Sequence, residues 1–306
     1  MTVGPAEIRR AHDRLGERVR FTPVVDVTLA GLPPLTLKLE MMQHTGSFKP
    51  RGAFNKALTS SMTKAGLVAA SGGNHGLAVA HVAAELGVKA EIFVPSLISA
   101  AKLANLHRSK ATIIVGGDAY ADALAASVQR AEQTGAVMVH AYDDPAVIAG
   151  QGTVFWEVEH QVPDVDAVVV AVGGGGFSAG AAAWFGSRVD LIAVETDGTQ
   201  ALHAALVAGT PVPVEVSGLA ADSLGARQVG SHPFQLLAPL AISVVITDHD
   251  VIAAQEVLWD RLRIAAEPGG AAAFAAVLNG TVDLTAYRRP VVVVCGGNVD
   301  PASLNR

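Results

Sequence analysis

A lysine in an unusual setting is the first group in this sequence that could do chemistry. Lys49 stands in the segment TGSFKPRGA, between a phenylalanine and a proline, where the chain enters an apolar helical stretch. Removal from water lowers the pKa of a lysine and makes its amine nucleophilic, as imine formation with a carbonyl requires. A surface lysine at a helix start is the alternative, and Lys49 by itself does not distinguish the two.

A second cluster, SGGNHG, begins at Ser71 and stands immediately before a predicted helix. Its glycines allow close backbone approach, and the exposed N–H groups of a helix start suit an anion such as a carboxylate. Asn74 could donate a hydrogen bond to a phenolate oxygen. A turn followed by an ordinary helix cap is the structural alternative.

Four consecutive glycines form the third cluster, between a predicted strand at 167–172 and a helix that begins at Ser178. Backbone amides without side chains can surround a phosphate, and the helix dipole assists. The run matches neither the G-x-x-x-x-G-K-[ST] loop nor a dinucleotide G-x-G-x-x-G with an acidic partner. It therefore predicts a monophosphate site rather than a nucleotide site.

The fourth cluster is CGGNVD, which begins at Cys295 and closes a predicted strand at 291–294. It places a small polarisable group at the carboxyl end of a strand, although an ordinary buried thiol is the alternative. Cys295 is the one cysteine of the chain, so no intrachain disulfide can form. A reducing compartment fits best, and we expect a cytoplasmic location.

Short β-branched runs alternate with alanine-rich helical stretches, which predicts an α/β fold with a parallel sheet covered on both faces. In such sheets ligands gather where strands end and helices begin, and all four clusters lie at such junctions. The predicted strands are 90–94, 112–115, 167–172, 191–194 and 291–294, and the predicted helices are 76–86, 120–134, 150–159, 178–185, 249–262 and 270–278.

Composition excludes several classes of protein. The chain has 306 residues, of which 50% are hydrophobic and 16% charged, enough for a sizeable core. The net charge is −6 without a basic block, which argues against a nucleic-acid partner. The polar N-terminus is unlike a secretion signal, and the glycines that interrupt the uncharged run 167–187 indicate strand, loop and helix rather than a membrane span. The histidines show no H-E-x-x-H spacing for a catalytic zinc.

In combination these segments resemble the fold-type II pyridoxal-phosphate (PLP) enzymes, in particular the serine/threonine dehydratase and serine racemase group. The likeness runs over nearly the whole chain. The motifs that carry it, in the order of the family, are SFKPRGAFNKAL, SGGNHG, PAVIAGQGT, VGGGG, ADSLG, EPGGAA and CGGNVD.

The resemblance implies a role for each cluster. Lys49 corresponds to the lysine that holds the cofactor covalently, and it would serve as the base that removes the α proton once the substrate amine has displaced it. The implied cofactor contacts are Phe48 against the ring, Asn74 at the 3′-oxygen, Gly173, Gly174, Gly175 and Gly176 at the phosphate, and Cys295 at the pyridine nitrogen. The implied substrate carboxylate site consists of Ser71, Asn74 and the backbone amide of His75.

The resemblance also implies an architecture, the tryptophan synthase β-like fold with two open, mostly parallel sheets flanked by helices. By analogy a small domain at 66–140 lies within a large PLP-binding domain made of 1–65 and 141–306. The chain ends soon after CGGNVD, so we expect no C-terminal regulatory domain. The family often forms homo-oligomers, which we expect here as well.

The implied activity is that of an ammonia-lyase, a dehydratase that converts a small β-hydroxy amino acid to a 2-oxo acid and ammonia. Candidate substrates are L-threonine, L-serine, a 3-hydroxyaspartate or a phenylserine. Racemases of the group carry a second serine where this chain has Gly72, so we expect elimination with little racemisation. Serine racemase and β-replacement activities remain alternatives, and a non-catalytic PLP-holding protein is a more remote one.

Some relatives bind a divalent cation through a glutamate and an aspartate six residues further on. Glu195 matches the glutamate, but Ala201 stands where the aspartate should be. Losing one carboxylate weakens a site for a hard cation, although Asp197 could substitute. Glu195 could instead be a structural acid at the end of a strand.

Overall fold

The alternating segments form two sheets and their covering helices in residues 3–304, the part of the chain that this computed structural model describes. The strands are β1 (Val24–Val27), β2 (Leu35–Lys38), β3 (Leu67–Ala70), β4 (Ala90–Val94), β5 (Thr112–Val115), β6 (Val137–Met138), β7 (Ala167–Ala171), β8 (Asp190–Thr196), β9 (Ala241–Ile246) and β10 (Pro290–Val293). The helices are α1 (Pro5–Leu15), α2 (Lys49–Thr59), α3 (Asn74–Leu86), α4 (Ala100–His107), α5 (Tyr120–Thr134), α6 (Pro145–Gln161), α7 (Gly176–Phe185), α8 (Ala201–Ala208), α9 (Ala221–Leu224), α10 (Ser231–Leu237), α11 (Asp248–Leu262) and α12 (Pro268–Leu278).

The larger sheet has six strands in the order β1-β2-β10-β7-β8-β9, and the smaller has four in the order β5-β4-β3-β6. All neighbouring strands are parallel except β1 and β2, which are antiparallel. The α/β class with two open, mostly parallel sheets is therefore confirmed. The strands of the smaller sheet all fall between Leu67 and Met138, and the domain division at 66 and 140 remains a prediction.

Parallel register places the predicted clusters at one edge of the larger sheet. Val291 of β10 lies opposite Thr36 of β2 on one side and Val168 of β7 on the other. The carboxyl ends of these three strands therefore meet at the same edge. An isolated bridge between Ser47 and Gly296 continues the pairing beyond the strands. As a result, the chain segments that carry the lysine, the cysteine and the four glycines converge.

The core explains the uncharged run at 167–187. Every residue of β7 and of α7 is buried, and so is every residue of β10. A strand buried on both faces has no solvent side on which to place charges, so it reads as continuously apolar. No helix in residues 3–304 is long and apolar enough to cross a membrane.

Local signals set the helix starts that matter for the site. Asp144 caps α6 by accepting hydrogen bonds from the amides of Ala146 and Val147 at 2.7 and 3.3 Å. Pro145 follows at the first helical position, where its missing N–H costs nothing. The helix therefore begins at Pro145, earlier than the predicted start at 150, because the cap and the proline outweigh the apolar pattern.

A cluster of buried charges anchors the helix that begins at Lys49. Arg51 of α2 donates from Nε to Glu40 and from Nη1 to Glu157 of α6, both at 2.6 Å. Lys38 of β2 also donates to Glu157 at 2.6 Å. The Arg51 and Lys38 side chains are fully buried, so each charge depends on its partners. The cluster fixes α2 against β2 and α6.

Replacing Arg51 with methionine should destabilise the protein strongly. The substitution leaves Glu40 buried without its cation, and breaking such a pair costs about 3–5 kcal/mol. Urea unfolding would measure the loss. As a matched control, Arg130→Met removes a partly exposed pair with Glu91 and should destabilise the protein far less. Equal stability of the two variants would contradict the role assigned to the buried cluster.

Candidate active site

The amine of Lys49 lies at the point where the loops from both sheets meet. Its Nζ donates a hydrogen bond to the carbonyl oxygen of Ala141 at 2.9 Å. Burial lowers the pKa of Lys49 to about 8, although the nearby Cys295 and Glu267 oppose the shift. A substantial fraction of this amine is therefore unprotonated near neutral pH, which gives it the capacity to act as a nucleophile or a base.

Phe48 connects the lysine to the glycine loop. Its ring stacks on Phe177 in the first turn of α7, with centroids 4.2 Å apart and planes 24° from parallel. Its backbone amide donates to the carbonyl of Cys295 at 3.3 Å. Lys49 Nζ lies 5.0 Å from the centroid of the Phe48 ring. Phe48 thus holds the lysine, the cysteine and the start of α7 in one arrangement.

The four glycines turn the chain from β7 into α7, and the structure leaves no room for side chains there. A Cβ on Gly174 would lie 2.3 Å from the Tyr142 ring, and one on Gly176 would lie 2.6 Å from the Tyr142 carbonyl oxygen. Gly175 has φ +86°, which disfavours other residues. The first N–H groups of a helix have no partner within it, so the start of α7 offers donors to an anion.

Asn74 is held at both ends of its side-chain amide. Its Nδ2 donates to Glu267 Oε1 at 2.6 Å, and its Oδ1 accepts from Asn298 Nδ2 at 2.7 Å. Asn298 Nδ2 also donates to the carbonyl of Thr45 at 2.7 Å. The network joins the loop after β3 to the loops around β10 and α2. Because both ends are fixed, the orientation of the Asn74 amide is set before any ligand binds.

Glu267 is a carboxyl group in an apolar setting. Burial raises its pKa to about 7, and the hydrogen bond from Asn74 only partly offsets the effect. The group stands at the start of α12, and a Cβ on Gly296 would lie 1.9 Å from its Oε1. Glycine at 296 is therefore required for Glu267 to reach Asn74.

Ser71 and His75 lie on either side of Asn74, as the sequence predicts. Ser71 Oγ accepts from the amide of Gly73 at 3.2 Å. The ring of His75 contacts the carbonyl oxygen of Val139 through Nε2 at 2.8 Å, and burial lowers its pKa to about 3. A neutral imidazole donates this bond, so the ring carries no charge. The backbone amide of His75 lies in the first turn of α3.

Cys295 is a neutral thiol. Its Sγ lies 3.4 Å from the carbonyl oxygen of Gly269, to which it donates, and burial raises its pKa above the usual range. It is buried next to the lysine, at the end of the segment that follows β10. It therefore presents no negative charge to the site.

Glu195 lies apart from the groups described above. One carboxylate oxygen accepts from the amide of Leu202 and the other from the amide of His203, both at 2.7 Å. Burial raises the pKa of Glu195 to about 7. Both oxygens thus bind the first turn of α8. Within residues 3–304 no group of three or more His, Cys, Asp or Glu side chains could hold a metal ion.

Sequence reasoning missed the segment that follows β6. His140 Nδ1 accepts from the amides of Tyr142 and Asp143 at 3.3 and 2.8 Å, which shapes a tight turn. This turn presents the Ala141 carbonyl to Lys49 and the Tyr142 ring to Gly174. The apolar run at 136–139 was not recognised as a strand, and β6 itself has only two residues. Asn298, by contrast, stood inside a recognised motif and was not assigned a contact.

The raised pKa of Glu267 predicts a pH-dependent stability difference. Its folded pKa of about 7 exceeds the ordinary 4.5, so its stabilising protonated form is lost as pH rises between these values. Relative to Glu267→Gln, the wild-type cofactor-free protein should lose roughly 3 kcal/mol between pH 4.5 and about pH 8. Urea unfolding across this range measures the difference. Glu91→Gln provides the contrast: Arg130 lowers the pKa of Glu91, so the stabilisation from Glu91 is present above pH 4.5 and is lost as pH falls below that value.

The chain is similar to known proteins in sequence and in fold. Residues 16–296 match the family described as "Pyridoxal-phosphate dependent enzyme". The L-threonine ammonia-lyase of Geobacter sulfurreducens is 36% identical over 97% of this chain and 76% of its own length. The phenylserine dehydratase of Ralstonia pickettii is 33% identical over 96% of this chain and 92% of its own.

A solved structure, that of maize serine racemase, superimposes with a TM-score of 0.92 and 30% identity, covering 99% of this chain and 96% of that one. The expected resemblance is thereby confirmed, and with it the expected fold. The protein belongs to the pyridoxal-phosphate-dependent enzyme family.

Proposed function

We propose that the protein is a PLP-dependent ammonia-lyase that dehydrates a small β-hydroxy amino acid to a 2-oxo acid and ammonia. The observation that carries the proposal is the position of the Lys49 amine, which is half-buried, donates to the Ala141 carbonyl and lies near Cys295 and Glu267. The relatives named L-threonine ammonia-lyase and phenylserine dehydratase support the reaction class. L-threonine and L-serine are the first candidates for the substrate, followed by phenylserine and 3-hydroxyaspartate.

The residues present fit PLP. The glycine loop offers helix-start amides and excludes side chains, as a monophosphate requires. The loop before Lys49 also contains two buried hydroxyls, Thr45 Oγ1 and Ser47 Oγ, that have no hydrogen-bond partner among the described residues. Unpaired buried hydroxyls are costly, so a polar ligand at this place would relieve them. Lys49, Phe48, Asn74, Cys295 and the four glycines would hold the cofactor.

When bound, PLP supplies an electron sink for negative charge at the α carbon of the substrate. Lys49, with its pKa near 8, takes the α proton at Nζ, and the carbonyl of Ala141 orients that amine. The substrate carboxylate is held by Ser71, Asn74 and the amide of His75, where the first turn of α3 offers donors. These contacts fix the α carbon in front of the base.

Cys295 and Glu267 determine which charges would surround the cofactor ring. A neutral thiol gives the pyridine nitrogen no anionic partner, so Cys295 favours prompt loss of the β hydroxyl over transamination. Glu267 acts through Asn74, since their 2.6 Å hydrogen bond fixes the amide that would meet the 3′-oxygen. Glu267 is thus a positioning residue rather than a group that touches the substrate.

We further propose elimination without efficient racemisation. Inversion at the α carbon needs a proton donor on the face opposite the base, and Gly72 has no side chain to supply one. The space next to Gly72 is filled, since a Cβ there would lie 2.7 Å from Ile98 Cδ1. An apolar methyl group therefore occupies the place of a hydroxyl. This favours a lyase over a racemase of the same fold.

Two other readings have less support. A β-replacement enzyme would share the cofactor site, but the SFKPRGA and CGGNVD segments resemble the dehydratases more closely. A non-catalytic PLP-holding protein fits less well, because the relatives named above are an ammonia-lyase and a dehydratase. A panel of hydroxy amino acids, assayed for 2-oxo acid formation, distinguishes these two alternatives from a lyase.

Three further features are proposed on indirect grounds. We assign Glu195 as the cap of α8, because a cation at this carboxylate would have to displace two amide hydrogen bonds.

The homo-oligomeric state expected from the family stays a prediction. A cytoplasmic location likewise stays a prediction and rests on the lone, reduced Cys295.

Lys49→Ala should abolish both cofactor attachment and turnover. The wild-type protein should show a visible absorption band that sodium borohydride removes, and 2-oxo acid should form from at least one hydroxy amino acid. The variant should lack the band and lose activity by about 10³-fold or more, as expected for loss of a base and covalent anchor. Lys56→Ala, on the same helix, is the control and should retain both properties.

The same panel tests the competing activities. D-serine should form from L-serine at no more than a small fraction of the rate of pyruvate formation. D-serine formation at a rate close to that of pyruvate would refute the proposal of elimination without efficient racemisation. A wild-type band without turnover on L-threonine, L-serine, phenylserine or 3-hydroxyaspartate would instead indicate replacement or cofactor storage.

Gly174→Ala should weaken PLP binding. The added methyl group would meet the Tyr142 ring at 2.3 Å, so either the ring or the loop must move. We expect the dissociation constant for PLP, measured by titration of the cofactor-free protein, to rise roughly ten-fold or more. Gly116→Ala is the matched control, since a Cβ there has no neighbour within 4 Å among the described residues. Equal PLP affinity of the two variants would exclude the glycine loop as the phosphate site.

A further inference from the structure

An ion pair near the candidate site links a helix beside the smaller sheet to a helix beside the larger one. Lys102 of α4 donates to Asp222 of α9, a residue 120 positions away in sequence. Both charges act on Glu267, where Asp222 raises its pKa and Lys102 lowers it, so the pair lies close to the Asn74 network. The side chains are 30% and 66% exposed, so the pair lies partly in solvent rather than in the core.

On one side, the pair is connected to the loop that would bind the substrate carboxylate. Ile98, just before α4, packs on Gly72, where a Cβ would lie 2.7 Å from its Cδ1. Ser99 then caps α4 by accepting from the amide of Lys102 at 3.4 Å. The position of Lys102 is thus tied through Ile98 to the loop between Ser71 and Asn74.

On the other side, the pair is connected to the wall of the cofactor site. Ser223, next to Asp222, accepts from the amide of Gly269 at 2.9 Å. Leu224 lies against the glycine loop, since a Cβ on Gly173 would be 3.1 Å from the Leu224 Cα. Asp222 therefore stands on an element that contacts both the glycine loop and the start of α12.

We propose that Lys102 and Asp222 are positioning residues that hold the carboxylate-binding loop of the smaller sheet against the cofactor wall of the larger one. The proposal rests on the proposed function and adds two residues to it. When the pair forms, it closes the gap between the two sheets and brings Ser71 and Asn74 toward Lys49, in the geometry that a bound amino acid needs. If part of the population is open, the apparent affinity for substrate falls by that fraction, while turnover of bound substrate is unchanged.

The size of the effect is bounded by the exposure of the pair. Partly exposed ion pairs shift an equilibrium by roughly two- to five-fold, and salt screens them. Reversing the charge of Lys102 or of Asp222 replaces attraction with repulsion, so it shifts the equilibrium further than removal of the charge would. The test therefore uses Lys102→Glu, Asp222→Lys and the double variant that restores an opposite-charge pair.

Each single reversal should raise the KM for the hydroxy amino acid by roughly five-fold or more with little change in kcat, and the double variant should return KM toward the wild-type value. Added NaCl should raise the KM of the wild type and lower that of the single variants, because it screens attraction and repulsion alike. Glu91→Arg and Arg130→Glu are the matched controls, since this pair lies within the smaller sheet and its helix α5. They should leave KM unchanged.

Hydrogen exchange supplies a readout that does not depend on turnover. Each single reversal should speed amide exchange in α4 and at residues 71–74 by roughly three-fold or more, and the double variant should restore protection. If both single variants keep wild-type KM and exchange, or if the double variant shows the sum of their effects, the pair does not position the loop. A wild-type protein inactive on every hydroxy amino acid would refute the proposed function, and the exchange pattern would still decide the role of the pair.

Discussion

The parallel pairing of β10 with β2 on one side and β7 on the other is the constraint on which the rest of this structure depends. It requires three chain segments from distant parts of the sequence to leave the sheet at one edge. Those segments carry Lys49, Cys295 and the four glycines. A register slip of one residue in β10 would turn Cys295 to the opposite face and move Gly296 away from Glu267. Geometry of the sheet, rather than any loop preference, therefore assembles the site.

In and around the site, ionisable groups are buried where a charge is unfavourable. Their contacts offset the cost of burying that charge to different degrees. Arg51 keeps its charge because two carboxylates contact it. Glu267 has an amide for a partner instead of a cation, so burial raises its pKa toward neutrality. Lys49 has a carbonyl oxygen for a partner, and its pKa falls to about 8 for the same reason. Ion pairs therefore stabilise the charge of Arg51, which anchors α2. Glu267 and Lys49 have no such pair, so their pKa values lie close to neutral pH, where proton transfer is easiest.

The sequence predicted best the elements whose apolar pattern is long and has clear ends. The strands β4 and β5 and the helix α5 have the predicted bounds, because alternating β-branched runs and a 15-residue helix leave little ambiguity. The sequence analysis did not identify β1, β2 or β3, nor β6, which has two residues, nor β9, whose residues are mostly half-buried. For the site, the order of the motifs identified the glycine loop and Asn74 as candidates, but it did not predict which side chains contact them. The contact of Tyr142 with Gly174 depends on where β6 ends in space, which no local pattern encodes.

Contacts between the two sheets explain why the same framework can support different outcomes. The larger sheet supplies the lysine and most of the groups proposed to hold the cofactor, whereas the smaller sheet supplies the loop from Ser71 to Asn74, in which Asn74 is also a proposed cofactor contact. Changes elsewhere in this loop, as at Gly72, would alter what faces the substrate without disturbing the proposed cofactor contacts. Ile98 illustrates this, since its methyl group occupies the space beside Gly72 that a proton-donating side chain would need. Selectivity between elimination and inversion can therefore be set by residues that contact neither the cofactor phosphate nor its ring, so the motifs of the larger sheet do not by themselves separate a lyase from a racemase.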